Sequence, residues 1–209
     1  MTGVELLDIY DDSLAPLGVK PRPDVHRDGD WHRVFHCWVV SRDRDGAGWV
    51  VMQRRGPDKD TFPNLIDVSV GGHYAAGETI RDGVREIREE LGLEVSYGSL
   101  IPVGRRVSAA RYLGLIDREV ADVFVYETDV DLDDLRPDPS EVAGLVAFRI
   151  SDGLALFAGE SDRLTARLAG SSTPLELTRA DFLPRIDSYV YRALVVLRQY
   201  LDGERYLVI

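Results

Sequence analysis

Apolar and polar residues alternate with a period of two over several short stretches, a pattern of half-buried strands. Such stretches occupy 4–10 (Val-Glu-Leu-Leu-Asp-Ile-Tyr), 34–40 and 49–53. The polar run Arg42-Asp43-Arg44-Asp45-Gly46 between the last two ends in an Asp-Gly turn signal and predicts a hairpin. A short strand over 65–70 runs into Gly71-Gly72, and further strands are expected at 100–107, 120–126 and 145–150. Segment 14–24, with Pro and Gly, and segment 54–64, with two prolines, read as loops.

Helical spacing replaces alternation in two places. One is 79–91, where Val84, Ile87 and Leu91 fall on one side at 100° per residue. The other is 185–201, where Ile186, Val190, Ala193, Leu194, Leu197 and Leu201 recur every three or four residues and Gly203 follows as a stop. A short helix is expected at 152–158, and one or two helical turns at 165–169. Strands mixed with a central helix predict a mixed α/β, or α+β, domain. The last sixty residues read as a helical appendage on that core, whose apolar stripe suits either intramolecular packing or a homodimer contact.

Composition narrows the function without naming it. The 209 residues are 44% hydrophobic and 29% charged, ordinary for a folded chain. Lysines and arginines number 25 against 36 acids, a net charge of −11, with pI near 4.8. That balance argues against a nucleic-acid or anionic-membrane partner, which needs a positive surface. A small anionic substrate would need a local basic patch or metal ions. Cys37 is the only cysteine, so no intramolecular disulfide can form and a reducing, cytoplasmic setting is expected. The N-terminus lacks the basic and apolar regions of a signal peptide, and the apolar run 189–197 is too short to span a bilayer.

Candidate chemistry lies on the first helix. Opposite its apolar side stand Glu86, Glu89 and Glu90, at i, i+3 and i+4. Their mutual repulsion costs helix stability, offset in part by Arg85 and Arg88. A bare E-x-x-E-E is ordinarily a solvated face. Clustered carboxylates are also what a hard divalent cation takes, often shared with a substrate phosphate. Thr79 and Asp82 form a start signal for the helix, with Asp in place of the usual Glu.

The surroundings resemble the Nudix box: Gly, five residues, Glu, seven residues, then Arg-Glu-apolar-x-Glu-Glu-x-Gly-apolar. Gly72 and Glu78 fit the first half, and Arg85 through Leu93 fits the second at every specified position. Only six residues, 79–84, separate Glu78 from Arg85, one fewer than the pattern, which puts a role for Glu78 in doubt. The resemblance implies a Nudix fold with a mixed sheet sandwiched by helices. It implies one domain over 1–209, with a core of about 30–150, an N-terminal strand extension over 1–29 and the C-terminal helical extension over 151–209. It implies Mg²⁺ or Mn²⁺ held by Glu86, Glu89 and Glu90, with a backbone carbonyl at Gly71 or Gly72. Glu86 would also help activate water, with Glu89 beside it, and Arg85 would orient a glutamate through a salt bridge.

Beyond the box, Arg54-Arg55-x3-Lys59-x2-Phe62-Pro63 ahead of Asp67-x-Ser69-x-Gly71-Gly72-His73 resembles the branch containing isopentenyl-diphosphate isomerase and its hydrolase-like relatives. There the Arg and Lys four apart bind diphosphate, which maps to Arg55 and Lys59. The isomerases place a catalytic cysteine directly before the Gly-His, where this chain has Gly71, and lack much of the glutamate signature complete here. Hydrolysis is therefore expected over isomerisation. His32 and His73 match isomerase metal ligands, Asp117-x-Glu119 sits where that branch has Glu-x-Glu, and His26 lies one residue out of register. Glu119 is the better expectation as an extra metal ligand or base. Glu141 is a further candidate whose alternative is a solvent-facing charge. Together these imply a hydrolase of a diphosphate linkage in a nucleoside-diphosphate derivative or related small molecule. The alternatives are an isomerase of prenyl diphosphate and a non-catalytic binding module.

Overall fold

The computed structural model describes residues 4–59, 61–112, 114–185 and 187–209. From the N-terminus they run through β1 (Leu6–Tyr10), β2 (Pro16–Pro21), α1 (Arg22–Asp28), β3 (Trp31–Arg42), β4 (Gly48–Arg55), β5 (Ile66–Asp67) and β6 (Val70–His73). Then come α2 (Val84–Leu91), β7 (Ile101–Tyr112), β8 (Leu115–Glu127), β9 (Val142–Arg149), α3 (Ile150–Ala158), β10 (Leu164–Leu168), β11 (Leu175–Leu177) and α4 (Tyr189–Leu201).

Strand β3 organises the rest because both its faces are buried. Val34, Trp38 and Val40 point into one apolar cluster, and Phe35, Cys37 and Val39 into another. Along one edge β3 runs parallel to β8, from Trp31 opposite Arg118 to Val40 opposite Glu127. Its other edge is shared, antiparallel, by β6 at 34–37 and β4 at 39–42. The sheet path is β11-β10-β9-β4-β3-β1-β2, and β7 joins through a long hairpin with β8. On one side of this sheet, α3 and α4 pack Leu154, Leu194 and Leu197 against Trp38, Met52 and Phe148. On the other, α2 packs Ile87 and Leu91 against Phe35 and Cys37. This is the helix-sandwiched mixed sheet expected from the sequence.

Several elements differ from that expectation. The 14–24 loop instead contains β2, which pairs with β1, and the start of α1, where Pro23 is tolerated in the first helical turn. Strand 65–70 is two pieces, β5 on β4 and β6 on β3. The 165–169 segment falls largely in a strand, β10, with Leu164 and Ala166 inward; a five-residue segment carries too few periods to separate 2 from 3.6. Helix α4 begins at Tyr189, not 185, and Ile186 of its expected stripe lies outside the described residues. The stripe's Ala193, Leu194 and Leu197 are used within the chain, against the sheet.

Helix α2 is shorter than 79–91, for a local reason. Residues 79–83 form successive tight turns, with Asp82 N–H bonding to Thr79 C=O and Arg85 N–H to Asp82 C=O. Asp82 Oδ2 accepts from both the amide and the hydroxyl of Thr79, at 2.7 Å each, so the pair closes a turn instead of capping a helix. Gly83 then lies against Phe35 and Tyr74 so closely that a Cβ there would meet their ring carbons at 2.5 and 2.9 Å. Burial of Ile87 and Leu91 contributes roughly 1.5–3 kcal/mol each, enough to hold two turns of helix despite its charged face.

Candidate active site

That charged face is not solvated. Glu86 and Glu90 are 8% and 4% exposed, facing β6, while the Glu89 side chain is 43% exposed at the rim. Glu90 Oε2 accepts hydrogen bonds from the Gly71 amide at 2.8 Å and from Gln53 Nε2 at 2.9 Å. The sequence suggested a carbonyl at Gly71 or Gly72; the contact made here is the Gly71 N–H to a carboxylate. Gly72 has another role. A Cβ on it would stand 2.0–2.4 Å from the Glu86 carboxyl atoms, so only glycine lets that side chain lie across the strand.

Arg85 ties the cluster to the preceding loop. Its Nε and Nη2 donate to the two Glu78 oxygens at 2.7 and 3.0 Å, and Nη2 also donates to the His73 carbonyl at 2.8 Å. Nη1 lies 2.7 Å from Glu86 and 3.2 Å from Glu89. Glu78, left in doubt by the shortened spacing, is thus placed against Arg85 and also accepts from the Ala75 amide. The tight turns at 79–83 absorb the missing residue.

Burial sets the electrostatics. It pushes the Glu86 carboxyl up to about 7, against the pull of Arg85 and with help from Glu89. Burial likewise holds Glu90 well above the usual carboxylate range, with Glu86 adding to the effect. Arg85 pairs with Glu86 but not with Glu90, whose partners are neutral amides, so the two buried carboxylates form a site short of positive charge, and their donors are all oxygen. The cluster therefore fits a hard divalent cation.

The same cavity, about 320 Å³, brings together residues far apart in sequence. Arg55, Lys59, Glu119 and Glu141 all line it with Glu86, Glu89 and Glu90. Neither proposed diphosphate ligand is bare. Arg55 Nη1 lies 3.2 Å from Asp67 and its Nε donates to the Thr61 carbonyl, while Lys59 pairs with Glu141. Asp67 also pairs with Arg185, and although burial opposes it, these two guanidiniums hold the Asp67 carboxyl below its ordinary range.

A second cluster adjoins the first. The rings of His26, His32 and His73 lie with centroids 5.0–5.5 Å apart, so His26, out of register in sequence, is in register in space. Its place on α1, an element the sequence concealed, explains the mismatch. Asp117 and Glu119 approach from β8, with Asp117 Oδ1 3.7 Å from His32 Nε2. One ligand atom from each of the three histidines, and likewise from His32, Asp117 and Glu119, falls within 4.8 Å of the others. His32 Nε2, His73 Nε2 and Asp117 Oδ1 are buried without a hydrogen bond. Burial lowers both His32 and His73, keeping them neutral as metal ligands must be, and raises Glu119 and Asp117, each further raised or relieved by charged neighbours. Gln53 and Arg185 carried no local signal in the sequence.

The NUDIX domain profile matches residues 30–168, two thirds of the chain. The chain belongs to the Nudix family. Among its relatives is an uncharacterized Nudix hydrolase of Clostridium acetobutylicum, 37% identical, with 95% of this chain and 98% of that one covered. The isopentenyl-diphosphate Δ-isomerase of Paenarthrobacter aurescens is 32% identical over 68% of this chain and 75% of its own. Among solved structures, the Deinococcus radiodurans protein DR0079 superposes with a TM-score of 0.52 at 27% identity, covering 74% of this Nudix chain and 90% of that one. Nudix enzymes typically use divalent metals, in keeping with the donor set of α2. No helix among the described residues is long and apolar enough to cross a membrane.

Proposed function

We propose that this Nudix protein is a Mg²⁺- or Mn²⁺-dependent hydrolase of a diphosphate linkage in a nucleoside-diphosphate derivative or related small molecule. The observation that carries the reading is the burial of Glu86 and Glu90, short of positive charge, in a cavity that also holds Arg55 and Lys59. Glu86, Glu89 and Glu90 would hold the cation. Bound there, divalent ions would offset the diphosphate charge and ease deprotonation of the attacking water. Arg85 fixes Glu86 and Glu89. Glu86 accepts the water's proton as oxygen attacks one phosphorus, and the bridging P–O bond breaks with its electrons going to the departing phosphate. Arg55 and Lys59 would exchange part of their pairing with Asp67 and Glu141 for phosphate oxygens. Glu119 stands as a further ligand or base from β8. The whole of 1–209 is read as one Nudix unit, and its single buried thiol, Cys37, suits the cytoplasm.

Isomerisation is disfavoured by Gly71. A Cβ there would meet Val68 Cγ2 at 2.9 Å, so the position where the isomerase pattern has cysteine has no ready space for a side chain. The His26–His32–His73 cluster, with Asp117 and Glu119, favours a second, imidazole-bound transition metal beside the first site. A panel of nucleoside-diphosphate derivatives with Mg²⁺, assayed for phosphate and nucleoside monophosphate, tests the main reading. Glu89→Gln and Glu90→Gln should each abolish turnover by at least about a hundredfold; unchanged turnover would refute the metal assignment. Double-bond migration in isopentenyl diphosphate without phosphate release would replace the reading with isomerisation. Binding without turnover under any metal would reduce the protein to a binding module.

A further inference from the structure

Beyond the matched domain, residues after 168 return to the active site. Leu183 and Arg185 line the catalytic cavity, and the same two residues, with Phe62 and Tyr112, also line a second chamber of about 590 Å³. The two spaces share a wall. The catalytic side is dominated by charge, whereas the second chamber is faced by rings: Phe62 meets Tyr112 edge-on at 4.7 Å, and Phe157 meets Phe182 at 5.1 Å.

Arg185 stands in the shared wall. Its side chain is 11% exposed, one arm is held by Asp67, and its Nε is buried with no hydrogen bond. Its guanidinium lies 5.4 Å from the centre of the Tyr189 ring. A buried guanidinium donor left unsatisfied is costly, and a phosphate oxygen satisfies it best. Phe62, on the facing loop, is held at φ 50°, a left-handed conformation that a bulky side chain adopts only when its surroundings demand it. Phe62 and Tyr112 thus form an aromatic pair that borders both spaces.

We propose that residues 182–185 and 188–191 supply the specificity subsite: Arg185 binds the substrate phosphate remote from α2, and the adjoining chamber takes a planar aromatic group esterified to that phosphate. The proposal rests on the diphosphate-hydrolase reading of the cavity and adds the class of substrate to it. Flat rings suit this chamber better than flexible chains. Ring edges and faces, and the guanidinium of Arg179 over Phe157 at 5.7 Å, attract another π system, while a chain gains only from area.

The test uses uncleavable methylenebisphosphonate monoesters, titrated calorimetrically into the full protein with Mg²⁺. The naphthylmethyl ester should bind about a hundredfold tighter than the methyl ester from buried area. It should also bind about two- to tenfold tighter than the straight alkyl ester of equal carbon number, from ring contacts. Ala158→Trp, entering the chamber from an exposed position on its wall, should collapse the naphthylmethyl-to-methyl ratio to below about tenfold. Arg185→Gln should weaken all three esters about tenfold or more, with partial recovery in Arg185→Lys. Thermal melting checks folding; should Arg185→Gln fail to fold, Arg185→Lys and Ala158→Trp decide. Equal affinity of the naphthylmethyl and methyl esters, or tighter binding of the alkyl ester, overturns the proposal. Because these ligands are not cleaved, ring preference without hydrolysis of the matching diphosphates would sink the hydrolase reading and leave the subsite standing.

Discussion

Mg²⁺ binding should release protons, and the release should depend on pH in a direction set by Glu86. Burial raises this carboxyl from 4.5 to about 7 in the metal-free protein, so at pH 6 it is about nine-tenths protonated. The side chain is only 10% exposed, so solvent screening removes little of the effect. A shift of that size corresponds to about 3 kcal/mol between protonation states. A cation that takes the carboxylate must displace the proton, and its apparent affinity should fall about tenfold per pH unit below 7. Glu90, also raised, steepens the trend. The sign for stability is opposite. Because the folded value lies above the unfolded one, this group's contribution is fully present below about 4.5 and is lost as pH rises through 7. Mg²⁺ should therefore raise the melting temperature more at pH 8 than at pH 6. Titration calorimetry in two buffers of different ionisation enthalpy counts the protons. About one or more should be released at pH 6 and fewer at pH 8, and Glu86→Gln should remove one. A Mg²⁺ affinity that is flat from pH 6 to 8, with no proton release, would refute the reasoning.

Three other outcomes follow from particular contacts. Gly72→Ala places a methyl against the tip of Glu86, a movable group, so kcat should fall about a hundredfold while the melting temperature changes little; a large loss of stability with activity retained would contradict the close approach. His32→Gln with His73→Gln should lower transition-metal content, measured by elemental analysis after zinc loading, by about one ion per chain, and an unchanged content would remove the second site. Leu194→Ala, at a fully buried position on α4, should cost about 3 kcal/mol in urea unfolding, whereas a cost near zero would mean that α4 adds little to the core.

What could be read in the sequence was what repeats locally. The α2 carboxylates, with Ile87 and Leu91 behind them, occupy one helix, so their spacing shows both faces at once. The β3–β4 hairpin was legible for the same reason, with alternation on either side of a polar turn. β2 and α1 were hidden because Pro16, Gly18, Pro21 and Pro23 carry a loop composition, and their structure depends on pairing with β1. Contacts between distant residues left no local trace: Asp67 meets Arg185 across 118 positions, and His36 meets Tyr189 across 153. The acidic face looked like solvated surface by composition, and only its closure against Gly71 and Gly72 makes it a buried site.

The pairing of Asp67 with both Arg55 and Arg185 has a consequence for biosynthesis. A nascent chain that has emerged only to residue 170 already carries every carboxylate of α2 and the Arg55–Lys59 loop. It lacks Arg185, so Asp67 has one guanidinium instead of two, and it lacks the Tyr189 hydroxyl that meets His36 and Trp38. The acidic half of the cavity is thus made before the segment that brings Arg185 and Tyr189. Catalytic competence should arrive only after α4 has left the ribosome and closed over the sheet.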